Sequence, residues 1–164
     1  MTKSVENQVA ELQERLKLIR AEDLMTTNIL TVKEDLSLAE VSDLMIKKRV
    51  SGLPVVREKD ELVGIITATD LFTLIDIIRS GSVKEDALNP KVSFAMSTNI
   101  LSIEKSTTLD EIITLMKRKN IHTLPVCEHG KMVGIIGRRD VFKNFYATAQ
   151  SIAKAKKPKQ PSSL

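Results

Sequence analysis

The chain contains the same pattern twice. Met25-Thr-Thr-Asn-Ile-Leu-Thr-Val32 lies over Met96-Ser-Thr-Asn-Ile-Leu-Ser-Ile103, and Leu53-Pro-Val55 over Leu124-Pro-Val126, both at an offset of 71 residues. Val63-Gly-Ile-Ile66 lies over Val133-Gly-Ile-Ile136 at an offset of 70, so the second copy has one residue fewer between these motifs. Across residues 25–56 and 62–72, 19 of 43 aligned positions are identical, which chance does not produce. A duplication constrains the fold more than any single motif. Each copy alone is too short to bury much of its own apolar surface. The two are therefore expected to cover each other around a pseudo-twofold axis.

Each copy reads as β-α-β-β-α, which gives an α+β fold built from tandem repeats. Ile29–Val32 and Ile100–Ile103 are short β-prone segments. Ser37-Leu-Ala-Glu40 and Thr108-Leu-Asp-Glu111 are capping boxes, in which the hydroxyl accepts an orphan N–H and the carboxylate reaches back to the cap residue. Leu38, Val41, Leu44 and Met45, matched by Leu109, Ile112, Leu115 and Met116, follow at helical spacing. Two hairpins come next: Leu53–Val56 with Leu62–Ile66 around a charged turn at 57–61, and Leu124–Cys127 with Met132–Ile136 around His129-Gly130. A second helix is predicted from near Thr69-Asp70, and its twin from near Arg139-Asp140.

The organisation expected along the chain is an amphipathic helix over 1–20, a first repeat over 21–79, a linker over 80–91, a second repeat over 92–149 and a disordered Lys-rich tail over 150–164. In the first segment Val5, Val9, Leu12, Leu16 and Ile19 recur at spacings of 4, 3, 4 and 3. This stripe predicts a helix that packs on its own domain or on a neighbouring copy.

Composition narrows the function classes. Aromatic residues make up 3% with no Trp, so the core is aliphatic and base-stacking platforms for single-stranded nucleic acid are lacking. The net charge of +4 comes from Lys154, Lys156, Lys157 and Lys159. Without them 21 basic residues face 21 acidic ones. The body is neutral, which argues against nucleic acid as a partner. No apolar run approaches the ~18 residues of a membrane span, and no secretory signal is visible in the first 20 residues. The single cysteine, Cys127, cannot form an intramolecular disulfide and is read as a small buried hydrophobe in a strand. A cytoplasmic protein is the expectation. Two histidines and one cysteine, not clustered, argue against a metal site. No constellation calls for catalysis, so neither an enzyme nor a required cofactor is expected.

The chemistry concentrates at Gly64-Ile-Ile-Thr67-Ala-Thr69-Asp70, where a strand ends in hydroxyls and an acid as a helix begins. Helix N-termini suit phosphate, and a carboxylate accepts from the vicinal hydroxyls of a ribose. The same residues also serve as an ordinary cap and first turn, so both roles stay open for Thr67 and Thr69.

This pattern, duplicated and preceded by the Leu-Pro-Val hairpin, resembles the CBS-domain pair, or Bateman module, over residues 21–146. The resemblance implies two pseudo-symmetric clefts, each lined by both repeats, that take adenosyl ligands such as AMP, ADP, ATP or S-adenosylmethionine. Carried over, the first cleft uses Thr67, Thr69 and Asp70 with Met96, Leu101, Ile121, His122 and Thr123. Asp70 would hold the ribose, Leu101 and Ile121 the adenine, and His122 a phosphate. The second cleft uses Arg138, Arg139 and Asp140 with Met25, Leu30, Val50, Ser51 and Gly52. It departs from the pattern, since Gly137 replaces the hydroxyl of Thr67 and arginines replace Ala68 and Thr69. Guanidinium groups bind phosphate strongly. The second cleft is thus expected to prefer a ligand with more phosphate charge, or to lend Arg139 to the other cleft's phosphate.

The function implied is a regulatory adenine-nucleotide sensor. It would act on an unlinked protein in the same cell and pair as a homodimer through its repeats. The alternative is an interaction module whose clefts stay unoccupied.

Overall fold

A computed structural model describes residues 3–58, 61–81 and 89–155. After helix α1 (Lys3–Leu18), the first repeat runs α2 (Ala21–Leu24), β1 (Val32–Lys33), α3 (Leu38–Lys48), β2 (Gly52–Val56), β3 (Leu62–Thr67) and α4 (Ala68–Arg79). The second runs α5 (Val92–Ala95), α6 (Leu109–Arg118), β4 (Thr123–Glu128), β5 (Lys131–Gly137) and α7 (Arg138–Ala155). β1, β2 and β3 form one sheet in that order, with β1 parallel and β3 antiparallel to β2. β4 and β5 form the antiparallel equivalent.

The capping boxes form as their sequences require. Glu40 N donates to Ser37 Oγ at 3.3 Å, and Ser37 N donates to Glu40 Oε2 at 3.0 Å. Thr108 and Glu111 repeat this at 3.2 and 2.8 Å. From these starts α3 buries Leu38, Val41 and Met45 and α6 buries Leu109, Ile112 and Met116, which are the matched positions of the repeat. The hairpins fall into matching registers, Leu53 opposite Ile66 and Leu124 opposite Ile136, each with a bulge before the turn. All four of these side chains are buried. The second turn puts His129 and Gly130 at positive φ (49° and 75°), the conformation of a tight two-residue hairpin.

The chain crosses between the repeats. Thr26 exchanges two backbone hydrogen bonds with Ile135 (2.9 and 3.0 Å), and Ser97 exchanges two with Ile65 (both 2.9 Å). The segment leading into each repeat thus adds to the hairpin of the other. The cores follow the same exchange. Ala21 and Leu24 are buried with Ile112, Leu124, Val126 and Ile136, whereas Val92 is buried with Val41, Leu53, Val55 and Ile66. Neither repeat completes a core alone.

Crossing shortens the first strand of each repeat. The β segment expected over Ile29–Val32 pairs with its own repeat only at Val32 and Lys33, and that over Ile100–Ile103 only as a bridge from Ile103 to Val126. The intervening residues span from one sheet to the other. Cys127 is another departure. Val56, its counterpart, is buried beside β1, but Cys127 is only half-buried because the partner strand is reduced to that bridge.

At the ends, α1 packs on α6 and α7 of the second repeat, with Leu16 and Ile19 against its core, while Val5 and Val9 remain exposed. α7 runs through Ala155 and buries Ile152, so residues 150–155, read from sequence as the start of the tail, are helical. Most of the expected linker (82–88), the tip of the first charged turn (59–60) and the rest of the expected tail (156–164) lie outside the described residues.

Candidate functional site: two clefts between the repeats

The end of β3 and the start of α4 build the first site. Thr67 caps α4. Its hydroxyl accepts from Asp70 N at 3.3 Å and donates to Asp70 Oδ2 at 2.6 Å, while Thr67 N donates to the same carboxylate oxygen at 2.7 Å. Of the two roles left open by the sequence, capping therefore occupies most of the Thr67 hydroxyl. It also fixes the Asp70 carboxylate, whose Oδ1 has no partner among the described residues. Ala68 N donates to Ser51 O at 2.9 Å and pins the helix start to the opposite strand.

A cavity of about 510 Å³ opens over this corner. Thr67, Thr69 and Asp70 of the first repeat line one side, and Leu101, Ile121, His122 and Thr123 of the second line the other. A 390 Å³ cavity is its pseudo-symmetric twin. Arg138, Arg139 and Asp140 face Leu30, Val50, Ser51 and Gly52 across it. Both volumes suit a small organic ligand. In the twin, Gly137 N donates to Asp140 Oδ2 at 2.7 Å, and Arg138 N to His122 O at 3.1 Å. The carboxylate is held as Asp70 is, without the hydroxyl.

Two residues expected in the walls lie elsewhere. Met25 and Met96 line neither cavity. Each packs on the glycine of the other repeat's Gly-Ile-Ile strand, Met96 on Gly64 and Met25 on Gly134. A Cβ on Gly64 would sit 2.6 Å from Met96 Sδ. The glycine is required by that close approach, and the methionines belong to the exchanged cores.

Sequence reasoning missed other lining groups. Ser97, Asn99 and Asn120 line the first cavity, and Thr26, Asn28 and Arg49 the second. Asn28 and Asn99 are identical at the 71-residue offset, so their pairing was visible in the sequence. Ser51, His122 and Thr123 line both cavities and form the wall between them. Among the described residues no group of His, Cys, Asp and Glu is placed to hold a metal ion, and no helix is long and apolar enough to cross a membrane.

The CBS-domain family model matches residues 21–77 and 91–147, which are the two structural repeats. The chain belongs to the CBS-domain family. Inosine-5'-monophosphate dehydrogenase of Staphylococcus haemolyticus is 34% identical over 142 residues, covering 85% of this chain and 26% of the dehydrogenase. This chain spans about a quarter of the length of such curated relatives. Among solved structures, CBSX2 in complex with AMP superposes with a TM-score of 0.68 at 28% identity, covering 78% of this chain and 96% of that one. A CBS-domain protein of Agrobacterium tumefaciens gives 0.67 at 26%, covering 76% and 91%. Both carry the CBS-pair architecture found here.

Proposed function

We propose that this CBS pair is a regulatory module that binds an adenosyl ligand in the clefts between its repeats and passes the resulting change of shape to a partner protein. The observation that carries this reading is the fixed carboxylate at the start of α4 and of α7. In each, one oxygen is held by the cap, the other has no partner among the described residues, and the residue lines a cavity walled by the opposite repeat. A free carboxylate oxygen is an acceptor suited to the vicinal hydroxyls of a ribose. The aliphatic Leu101 and Ile121, or Leu30 and Val50, offer flat apolar surface for a purine. The complex of the related CBSX2 with AMP supports the ligand class.

A ligand touching both repeats favours one relative orientation of them, by as much as its affinities for the two arrangements differ. Regulation of this kind requires no chemistry within the module. Thermal denaturation with AMP, ADP, ATP and S-adenosylmethionine tests the reading. A ligand that binds only the folded chain raises the melting temperature, by about 2.7 kcal/mol of stability at a hundredfold excess over its Kd. No shift with any of the four would favour an interaction module with unoccupied clefts.

A further inference from the structure

The two clefts are built on one frame but carry opposite charge. Among the described residues, the first is lined by one carboxylate, Asp70, and by no lysine or arginine. The second is lined, among the described residues, by Arg49, Arg138 and Arg139 against the one carboxylate of Asp140. None of the three arginines has an ion pair or side-chain hydrogen bond among the described residues.

The asymmetry comes from both walls. Arg138 and Arg139 replace Ala68 and Thr69 at the helix start, and across the cavity Arg49 replaces Asn120. Arg49 and Asn120 each end a helix region at positive φ, 54° and 50°. Asparagine tolerates that conformation better than arginine does. The backbone gives no reason for arginine at 49, whereas the cavity does.

We propose that the second cleft selects nucleotides with a di- or triphosphate chain, and that the first takes adenosyl ligands of low charge. This rests on the adenosyl reading above and adds a division of labour between its sites. Each further phosphate brings negative charge and acceptor oxygens, and three arginines lining the cavity from two repeats supply guanidinium donors in planar forks. An uncharged ligand would leave these same groups without an anionic partner. In the first cleft a long phosphate chain meets the Asp70 carboxylate, with no lysine or arginine among the described lining residues to offset it.

The test is calorimetric titration of adenosine, AMP and ATP into the full chain carrying Asp70→Ala, which silences the first cleft, with and without Arg49→Ala and Arg139→Ala. Inorganic tripolyphosphate serves as a probe without a base. The expected result is that ATP binds the second cleft more than about tenfold tighter than AMP. Each arginine removed should weaken ATP by about tenfold, as loss of one charged hydrogen bond does, and rising salt should weaken it further. Tripolyphosphate should compete with ATP. In the complementary Asp140→Ala chain, AMP should bind the first cleft at least as tightly as ATP. Equal affinity of the second cleft for AMP and ATP, or a loss below about threefold in the double arginine variant, would overturn the charge selection while leaving the adenosyl reading intact. Absence of binding by any nucleoside ligand, with tripolyphosphate still bound and displaced by the arginine substitutions, would overturn the adenosyl reading alone.

Discussion

Single residues show how duplication and divergence coexist. Glu34 and Arg57 form an ion pair at 2.8 Å, and Lys105 and Glu128 form one at 2.9 Å. These are the same two positions of the repeat with the charges exchanged. The contact survives in both copies because the geometry calls for a pair and not for a particular sign. Asn144 is a less successful divergence. It stands where the first repeat buries Leu74, and its Oδ1 is buried without a partner. An unsatisfied buried acceptor costs about 1–3 kcal/mol. Asn144→Leu is expected to raise stability by about 1 kcal/mol, read as a later midpoint in urea with an unchanged slope. An earlier midpoint would show that the amide has a partner in solution.

At the scale of elements, four glutamates tie helix starts and strand ends. The hydroxyl and N–H of Ser37 lower the pKa of Glu40, and the N–H and hydroxyl of Thr108 lower that of Glu111. Hydrogen bonds from Arg57 and Lys105 do the same for Glu34 and Glu128. A carboxylate whose folded pKa is depressed stabilises the fold above its unfolded value, about 4.3, and loses that contribution as pH falls through the folded value. The melting temperature should therefore decline below about pH 4.3. Glu40→Gln should lower it at pH 7 and cease to differ from wild type in strong acid. A constant difference across that range would contradict the assignment.

The same scale explains what the sequence made legible. Helix starts were readable because a capping box is a local motif, and the hairpins because Leu-Pro-Val and Gly-Ile-Ile alternate with turn residues. The cleft residues of β3 and α4 followed from the same local signal. The exchange of Met25 and Met96 was not readable. Periodicity shows that a residue is buried but not in which repeat. The shortened β1 had the same cause, since a strand exists only where a partner lies beside it. Arg49 was missed because a helix C-terminus looked like solvent. Only the fold brings it across from Arg139.

At the scale of the molecule, the exchanged cores make the two repeats one unit, with the clefts at their junction. That unit leaves large apolar side chains uncovered on its outer helices. Phe72 and Ile75 of α4 are 74% and 59% exposed, and Phe142 and Tyr146 of α7 60% and 63%. Phe72 and Phe142 occupy equivalent positions of the repeat. Large exposed apolar side chains on both helices suit association, and a two-copy assembly of these helices fits the pseudo-twofold arrangement. Light scattering should give the mass of a dimer for the wild-type chain and of a folded monomer for Phe72→Asp combined with Phe142→Asp. A monomeric wild type, or a dimeric variant, would contradict this assembly.

The proposed regulation requires that adenosyl ligands enter the clefts between the repeats and bind their two fixed carboxylates. Calorimetric titration of AMP and ATP into the wild type, Asp70→Ala, Asp140→Ala and the double variant tests this most directly. Binding to the wild type, loss of one class of site in each single variant and loss of all binding in a folded double variant is the predicted result. Unchanged affinity and stoichiometry in the double variant would contradict it.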